Sequence, residues 1–287
     1  MHWSLAVGAA MFTIIAHPVW AGEPRRPTGK WVVDFGAAQC IATRNYGPDE
    51  KPLYLVLKAP PLGDVLQIGV VRTGQLGEAR QIDGELVFDQ HPPIRTNLLE
   101  YGVRTLKQRA LLVNLPLQNL APMRTASSLS IRARHGEVLL LGSRINQAGS
   151  GTEERFALTH MVPLLKTMDR CVADLRAMWN VTDPTGSQSK LKERAKGNIA
   201  SFFSNDDYPA IALNRDQSGT VAFVLLIDEA GKVADCTVTA TSGAASLDSQ
   251  SCAVLRLRAK FTPAMGADGK SAKDVLIGRV RWQIAGQ

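Results

Sequence analysis

Gly219-Thr220-Val221-Ala222-Phe223-Val224-Leu225-Leu226-Ile227-Asp228-Glu229-Ala230-Gly231-Lys232-Val233 decides how the C-terminal part of the chain folds. Thr220 to Ile227 is a strand-forming run that is apolar on both faces. Asp228 to Gly231 makes a tight turn, with Gly231 free to take a positive φ. Lys232 to Thr241 returns as a second strand. A helix follows from Leu247 to Lys260: Leu247, Val254 and Phe261 recur at sevens, flanked by Leu255 and Leu257. Arg256, Arg258 and Lys260 gather in its last turns, where cations suit the helix dipole. The last strand, Asp274 to Ile284, alternates. Leu276, Gly278, Val280, Trp282 and Ile284 share one face; Arg279, Arg281 and Gln283 share the other. This β-β-α-β order occupies about 80 residues, too few to bury much core unaided.

Trp31 to about Glu137 is strand-like. Trp31–Phe35, Leu53–Leu57, Leu66–Val71, Glu85–Phe88, Arg109–Leu115, Leu129–Ala133 and Val138–Leu141 are short β-branched, aromatic or aliphatic runs. Gly63-Asp64, Asp83-Gly84 and His91-Pro92-Pro93 punctuate them. The spacing predicts an antiparallel sandwich or barrel-like sheet. One helix closes the region, carrying Leu158, Met161, Leu164, Leu165, Met168, Cys171, Val172, Leu175 and Trp179 at helical steps. Pro163 fits its first turn. The fold class is therefore α+β, with a β-rich domain over 30–181, a linker and short helix over 182–203, and the β-β-α-β domain over 204–287. Asp183 to Ser189 reads as the linker, the basic residues Lys190, Lys192, Arg194 and Lys196 as a solvated connector, and Leu191–Phe203 as the short helix.

The first 21 residues carry no Lys, Arg, Asp or Glu. Leu5–Ile15 is apolar, Pro18 interrupts it, and Val19-Trp20-Ala21 suits cleavage before Gly22. We expect residues 1–21 to be a signal peptide and the rest to lie in the periplasm; the alternative is a retained inner-membrane anchor. The four cysteines, Cys40, Cys171, Cys236 and Cys252, form no CxxC pair, so a zinc ribbon is unsupported. In an exported chain they read as disulfides, and three connectivities are possible. Local domain logic favours Cys40–Cys171 and Cys236–Cys252. The second bridge would contribute about 3 kcal/mol in the chain-entropy model.

Net charge is +7 over 287 residues, a mild excess that does not make a nucleic-acid binder. No later stretch approaches the length of a membrane-spanning helix. His91, His135 and His160 lack metal-ligand spacing. Ser187-Gln188-Ser189-Lys190 fits S-x-x-K but stands in a linker without its companion motifs, and no GxSxG elbow occurs. Gly149-Ser150-Gly151 and Gly266 to Gly269 lack the surroundings of a phosphate loop. No enzyme, cofactor or metal site is expected.

The C-terminal pattern resembles the TonB C-terminal domain family. The matching residues are Asp207-Tyr208-Pro209, Gly219-Thr220-Val221, Ile227-Asp228, Gly231-Lys232-Val233, Thr241-Ser242-Gly243, Leu247-Asp248, Phe261-Thr262-Pro263-Ala264 and Gly269-Lys270. The resemblance spans Asp206 to Ile284, and Cys236 and Cys252 resemble a cysteine-bearing branch. It implies a binding module in which an edge strand pairs with the TonB-box segment of an outer-membrane receptor by β-augmentation, within TonB-dependent transmembrane transport. Carried over residue by residue, that edge is Val275, Ile277, Gly278, Arg279, Val280, Arg281 and Trp282. The family's ExbB–ExbD motor would be a partner if the N-terminus is retained. A homodimer or envelope scaffold is the alternative role. The front of the chain departs from the family: Ser4 and His17 lack its anchor spacing, and a β-rich domain stands where it has a Pro-rich spacer. That domain has a faint likeness to exported proteins of the invasion-associated-locus-B kind, through Trp31, Cys40 and the Cys171 helix, from which no function is transferred.

Overall fold

The computed structural model describes residues 23–284 apart from 63–64, 75–79, 104–106, 134–137, 141–142, 146–151 and 184–188. The leader 1–21, Gly63-Asp64, His135, Gly149–Gly151 and Ser187-Gln188 therefore lie outside the described residues. Eleven strands come first: β1 (Val32–Phe35), β2 (Cys40–Asn45), β3 (Leu53–Ala59), β4 (Val65–Thr73), β5 (Arg80–Phe88), β6 (Ile94–Val103), β7 (Gln108–Pro116), β8 (Ser128–Ala133), β9 (Val138–Leu140), β10 (Ser143–Ile145) and β11 (Thr152–Ala157). Nine of them form one antiparallel sheet in the order β1-β2-β3-β4-β7-β6-β5-β8-β11, while β9 and β10 pair separately. The sheet curls, and residues 25–28 bridge β11 and β2. Arg25 exchanges backbone hydrogen bonds with Arg155 and Ala157 of β11 (2.9 Å each), and Thr28 N–H donates to Asn45 O of β2 (3.0 Å).

Inward side chains such as Leu57, Ile68, Leu86, Phe88, Leu115, Leu129 and Phe156 fill this barrel. Helix α1 (Ala121–Thr125) is a short turn between β7 and β8. Helix α2 (Met161–Met178) lays Leu164, Leu165, Met168, Cys171 and Leu175 into the same core. Cys40 of β2 and Cys171 of α2 form a disulfide. Asp83-Gly84, expected as a turn, lies inside β5 instead. Gly84 is needed there because a Cβ would stand 2.5 Å from Arg132 O and 2.5 Å from Leu98 Cδ1.

The C-terminal part has helix α3 (Ala210–Leu213), strands β12 (Gly219–Ile227) and β13 (Val233–Ala240), helix α4 (Ala245–Arg258), the two-residue strands β14 (Ala264–Met265) and β15 (Ser271–Ala272), and β16 (Asp274–Trp282). Its sheet has the order β13-β12-β16, all antiparallel. The double apolar face of β12 is now explained. Val221, Phe223, Leu225 and Ile227 pack with Leu247 and Leu255 of α4. Val224 and Leu226, with Val275 of β16, join the core of the barrel and α2. Burial of both faces relieves the shortage of core noted above. The Cys236–Cys252 disulfide ties β13 to α4.

Two local expectations are corrected. Leu257 does not share the apolar face of α4 but is 82% exposed. Leu191–Phe203 is not a helix. Lys192 and Glu193 donate to Met265 O, Lys196 and Thr262 exchange backbone bonds, and only Ile199–Phe202 closes into a 3-10 turn. An isolated helix of this length is marginal in water, and backbone pairing to residues 262–265 takes its place.

Candidate functional site: the outer edge of β16

A three-stranded sheet has two edges, and here they differ. On β13 the carbonyls of Cys236 and Val238 turn away from β12. Arg256 Nη2 donates to Cys236 O (2.9 Å), and Gln67 Nε2 and Asn114 Nδ2 each donate to Val238 O (3.3 Å). Gln39 Nε2 and Arg256 Nη2 hold Asp235 at 2.8 and 2.6 Å. The barrel and α4 therefore occupy the β13 edge with side-chain donors.

On β16 the outward groups start at Val275. Its N–H meets Asp274 Oδ1 (2.7 Å) and its carbonyl takes Arg194 Nη2 (2.6 Å). In an antiparallel ladder a residue's N–H and C=O point the same way, and the direction alternates. Ile277, Arg279 and Arg281 therefore turn their backbone groups outward, while Leu276, Gly278, Val280 and Trp282 face Leu225, Phe223, Val221 and Gly219 of β12. Among the described residues, no strand pairs with this outer side. The side chains of Ile277, Arg279 and Arg281 are also exposed, Ile277 at 58%.

The seven residues expected at an edge thus fall into distinct positions. Val275 is buried and its outward groups are engaged. Gly278 admits close packing, since a Cβ would lie 2.6 Å from Phe223 Cε2 and 2.7 Å from Ile199 Cδ1. Val280 faces the α4 core. Trp282 is buried, its Nε1 donates to Ser251 Oγ (2.9 Å), and its ring meets Phe203 and Tyr208 edge-on. Ile277, Arg279 and Arg281 remain as an outward-facing row.

The start of β16 is fixed by Arg194, which is not a solvated connector residue as expected but is engaged with the strand. The buried Asp274 carboxylate accepts Arg194 Nε (2.8 and 2.9 Å) and Ala195 N–H (2.7 Å). Asn180, just after α2, donates to Lys273 O (2.8 Å), and Lys273 Nζ sits 5.1 Å from the Trp179 ring centroid. The turn ahead of α3, Asn205–Asp207, is fixed in the same manner. Asp207 accepts Ser204 N–H (2.7 Å) and a two-pronged contact from Arg258, with Nη1 at 2.8 Å. The Arg258 hydrogen bonds hold the Asp207 carboxyl below its ordinary value of 3.8. A depressed folded value stabilises the fold above the unfolded value, and that contribution disappears as pH falls through the folded value. Asp207→Asn should therefore lower the denaturant midpoint at neutral pH, and its deficit should shrink toward about pH 2. Parallel midpoints from pH 7 down to acid check this.

Elsewhere, candidate catalytic groups are occupied or dispersed. His91 Nε2 lies 3.2 Å from Thr125 Oγ1, His160 is exposed at the start of α2, and Ser189 Oγ donates to Asn180 O (3.1 Å). Among the described residues, no group of three His, Cys, Asp or Glu side chains is placed to hold a metal ion. No helix among them is long and apolar enough to cross a membrane.

Residues 204–284 match the family model described as Gram-negative bacterial TonB protein C-terminal. This matched segment, similar to the C-terminal domain of TonB proteins, contains β12, β13, α4 and β16. No family model assigns the barrel, and no curated protein or solved structure matches the chain.

Proposed function

We propose that Ile277–Arg281 receives an extended segment of an outer-membrane receptor as a fourth strand, in a non-catalytic periplasmic protein that contributes to TonB-dependent transport. The observation that carries this reading is the asymmetry of the sheet: side chains occupy the β13 edge, whereas the row from Ile277 to Arg281 keeps its ladder groups outward. An added strand satisfies those groups, and the cross-strand side chains set its preference. Arg279 and Arg281 stand two residues apart on one face. A guest with acidic residues two apart therefore meets both. Export rests on the apolar leader 1–21, and engagement of an ExbB–ExbD motor would rest on its retention.

The homodimer reading uses the same edge. A twofold antiparallel pairing centred on Arg279 or Val280 sets arginine opposite arginine, which is destabilising. This favours an acidic guest over a second copy.

Titration of the full chain with a receptor-derived acidic peptide tests the proposal. Binding should weaken with salt, and the Arg279→Glu/Arg281→Glu pair should reduce affinity about 10-fold, as expected for two reversed cross-strand pairs. Equal binding by wild type and the double variant would overturn the acidic preference. A complete absence of binding by any extended peptide would overturn the edge itself.

A further inference from the structure

We infer that the end of the C-terminal domain where Lys196, Lys232 and Lys260 stand together docks on an anionic phospholipid bilayer. Three extended segments lie side by side there. Lys232, at the entry to β13, forms an antiparallel bridge with Lys260, just past α4, and two residues further on Thr262 forms one with Lys196.

Backbone pairing sets the directions of these side chains. Phe261 N–H donates to Gly231 O (2.8 Å), so the bond lies beside the Lys232–Lys260 pair and not within it. In an antiparallel ladder that is the kind of pair whose side chains stand closer together. Lys196 and Thr262 exchange both backbone bonds, at 3.0 and 2.8 Å. Residues directly opposite share a face, and so do residues two apart on one extended segment. Lys232, Lys260, Thr262 and Lys196 therefore present one face, and all four are exposed. Phe261, between Lys260 and Thr262, turns the other way and is buried.

The acids nearby do not balance this face. Like charges directly opposite destabilise a pair, and among the described residues no carboxylate forms an ion pair with Lys232 or Lys260. Asp228 spends Oδ1 on the N–H groups of Ala230 and Lys232 (2.9 and 2.8 Å). Asp207 and Asp235 are committed to Arg258 and Arg256. Glu193 takes Lys196 Nζ at 3.1 Å, leaving Glu229 in the turn ahead of Lys232. Two opposed lysines suit a partner that is negative over an area, and they repel a second copy of the chain. Leu257 then selects a bilayer over a soluble polyanion. It stands three residues before Lys260 and is 82% exposed, the most exposed large hydrophobic side chain among the described residues. A polyanion in water offers it no apolar contact. A bilayer interface takes an apolar side chain below the headgroups and lysines among them.

The test is flotation of the chain from Gly22 onward, which holds every described element, with two kinds of vesicle. One is equal parts phosphatidylglycerol and phosphatidylcholine, the other phosphatidylcholine alone. At about 5-fold per lysine, the anionic vesicles should bind about 100-fold more tightly, and added salt should erase the difference. Lys232→Ala/Lys260→Ala should lose about 25-fold on the anionic vesicles, and Leu257→Ser about 10-fold. These variants alter only exposed side chains. Absent binding, equal binding to both vesicles, or undiminished binding by the double-lysine variant would each overturn the inference. Polyglutamate binding as tight as vesicle binding, with Leu257→Ser without effect, would overturn it too and assign the face to a soluble polyanion.

Discussion

Arg279→Pro should abolish capture of an added strand while the chain remains folded. The Arg279 N–H points outward, so proline removes no bond to β12, and edge strands tolerate proline in that orientation. The substitution deletes the central donor of the row between Ile277 and Arg281 and puts a ring in the path of the guest. With about 1 kcal/mol for the lost bond and steric exclusion added, affinity should fall by about 10- to 100-fold. Val280→Pro is the opposite control. Its N–H faces Val221 of β12, so it should cost about 3 kcal/mol or more of stability. Arg279→Ala keeps the N–H and should lose only the charge contribution. Trp282 fluorescence reports folding, and peptide titration reports capture. Undiminished capture by Arg279→Pro would sink the edge assignment.

Replacing Cys40 and Cys171 together by alanine should lower unfolding free energy by about 5 kcal/mol in the chain-entropy model. The two cysteines are 131 residues apart, against 16 for Cys236 and Cys252. The shorter loop predicts about 3 kcal/mol. The larger loss is comparable to the whole stability of many domains. It would also be felt at a distance, because Trp179 and Asn180 after α2 steady Lys273, immediately ahead of β16. Denaturant unfolding of the two double variants settles the ranking. An equal or inverted order would show that native-state packing, rather than loop closure, dominates.

Charged barrel strands were the hardest to read. β6 and β11 escaped because Glu100, Glu153, Glu154 and Arg155 interrupt the apolar alternation. Arg109 pairs with Glu100, Arg132 with Glu153, and Arg25 and Arg72 with Glu154. Each partner lies on another segment, from the neighbouring strand for Glu100 to 82 and 129 residues away for Glu154, so a single-strand window does not show that these charges are compensated. β2 escaped likewise: its inward residues are Cys40, Ala42 and Arg44, and Arg44 is satisfied by Gly29 O and Thr159. Strands with clean aliphatic runs, such as β3 and β12, were legible.

The sequence by itself determined the α+β class, the TonB-type tail, the two faces of β16 and the positive φ of Gly231, observed at 76°. Each follows from period-two alternation or from the sterics of one turn, which are local properties. Only the tertiary structure decided which sheet edge is occupied, and that Val275 falls inside the closed part of β16. Those outcomes depend on Gln67, Asn114 and Arg194 reaching backbone carbonyls across the fold. A hydrogen bond between residues so far apart in sequence exists only once the barrel, the strap and the sheet have packed together.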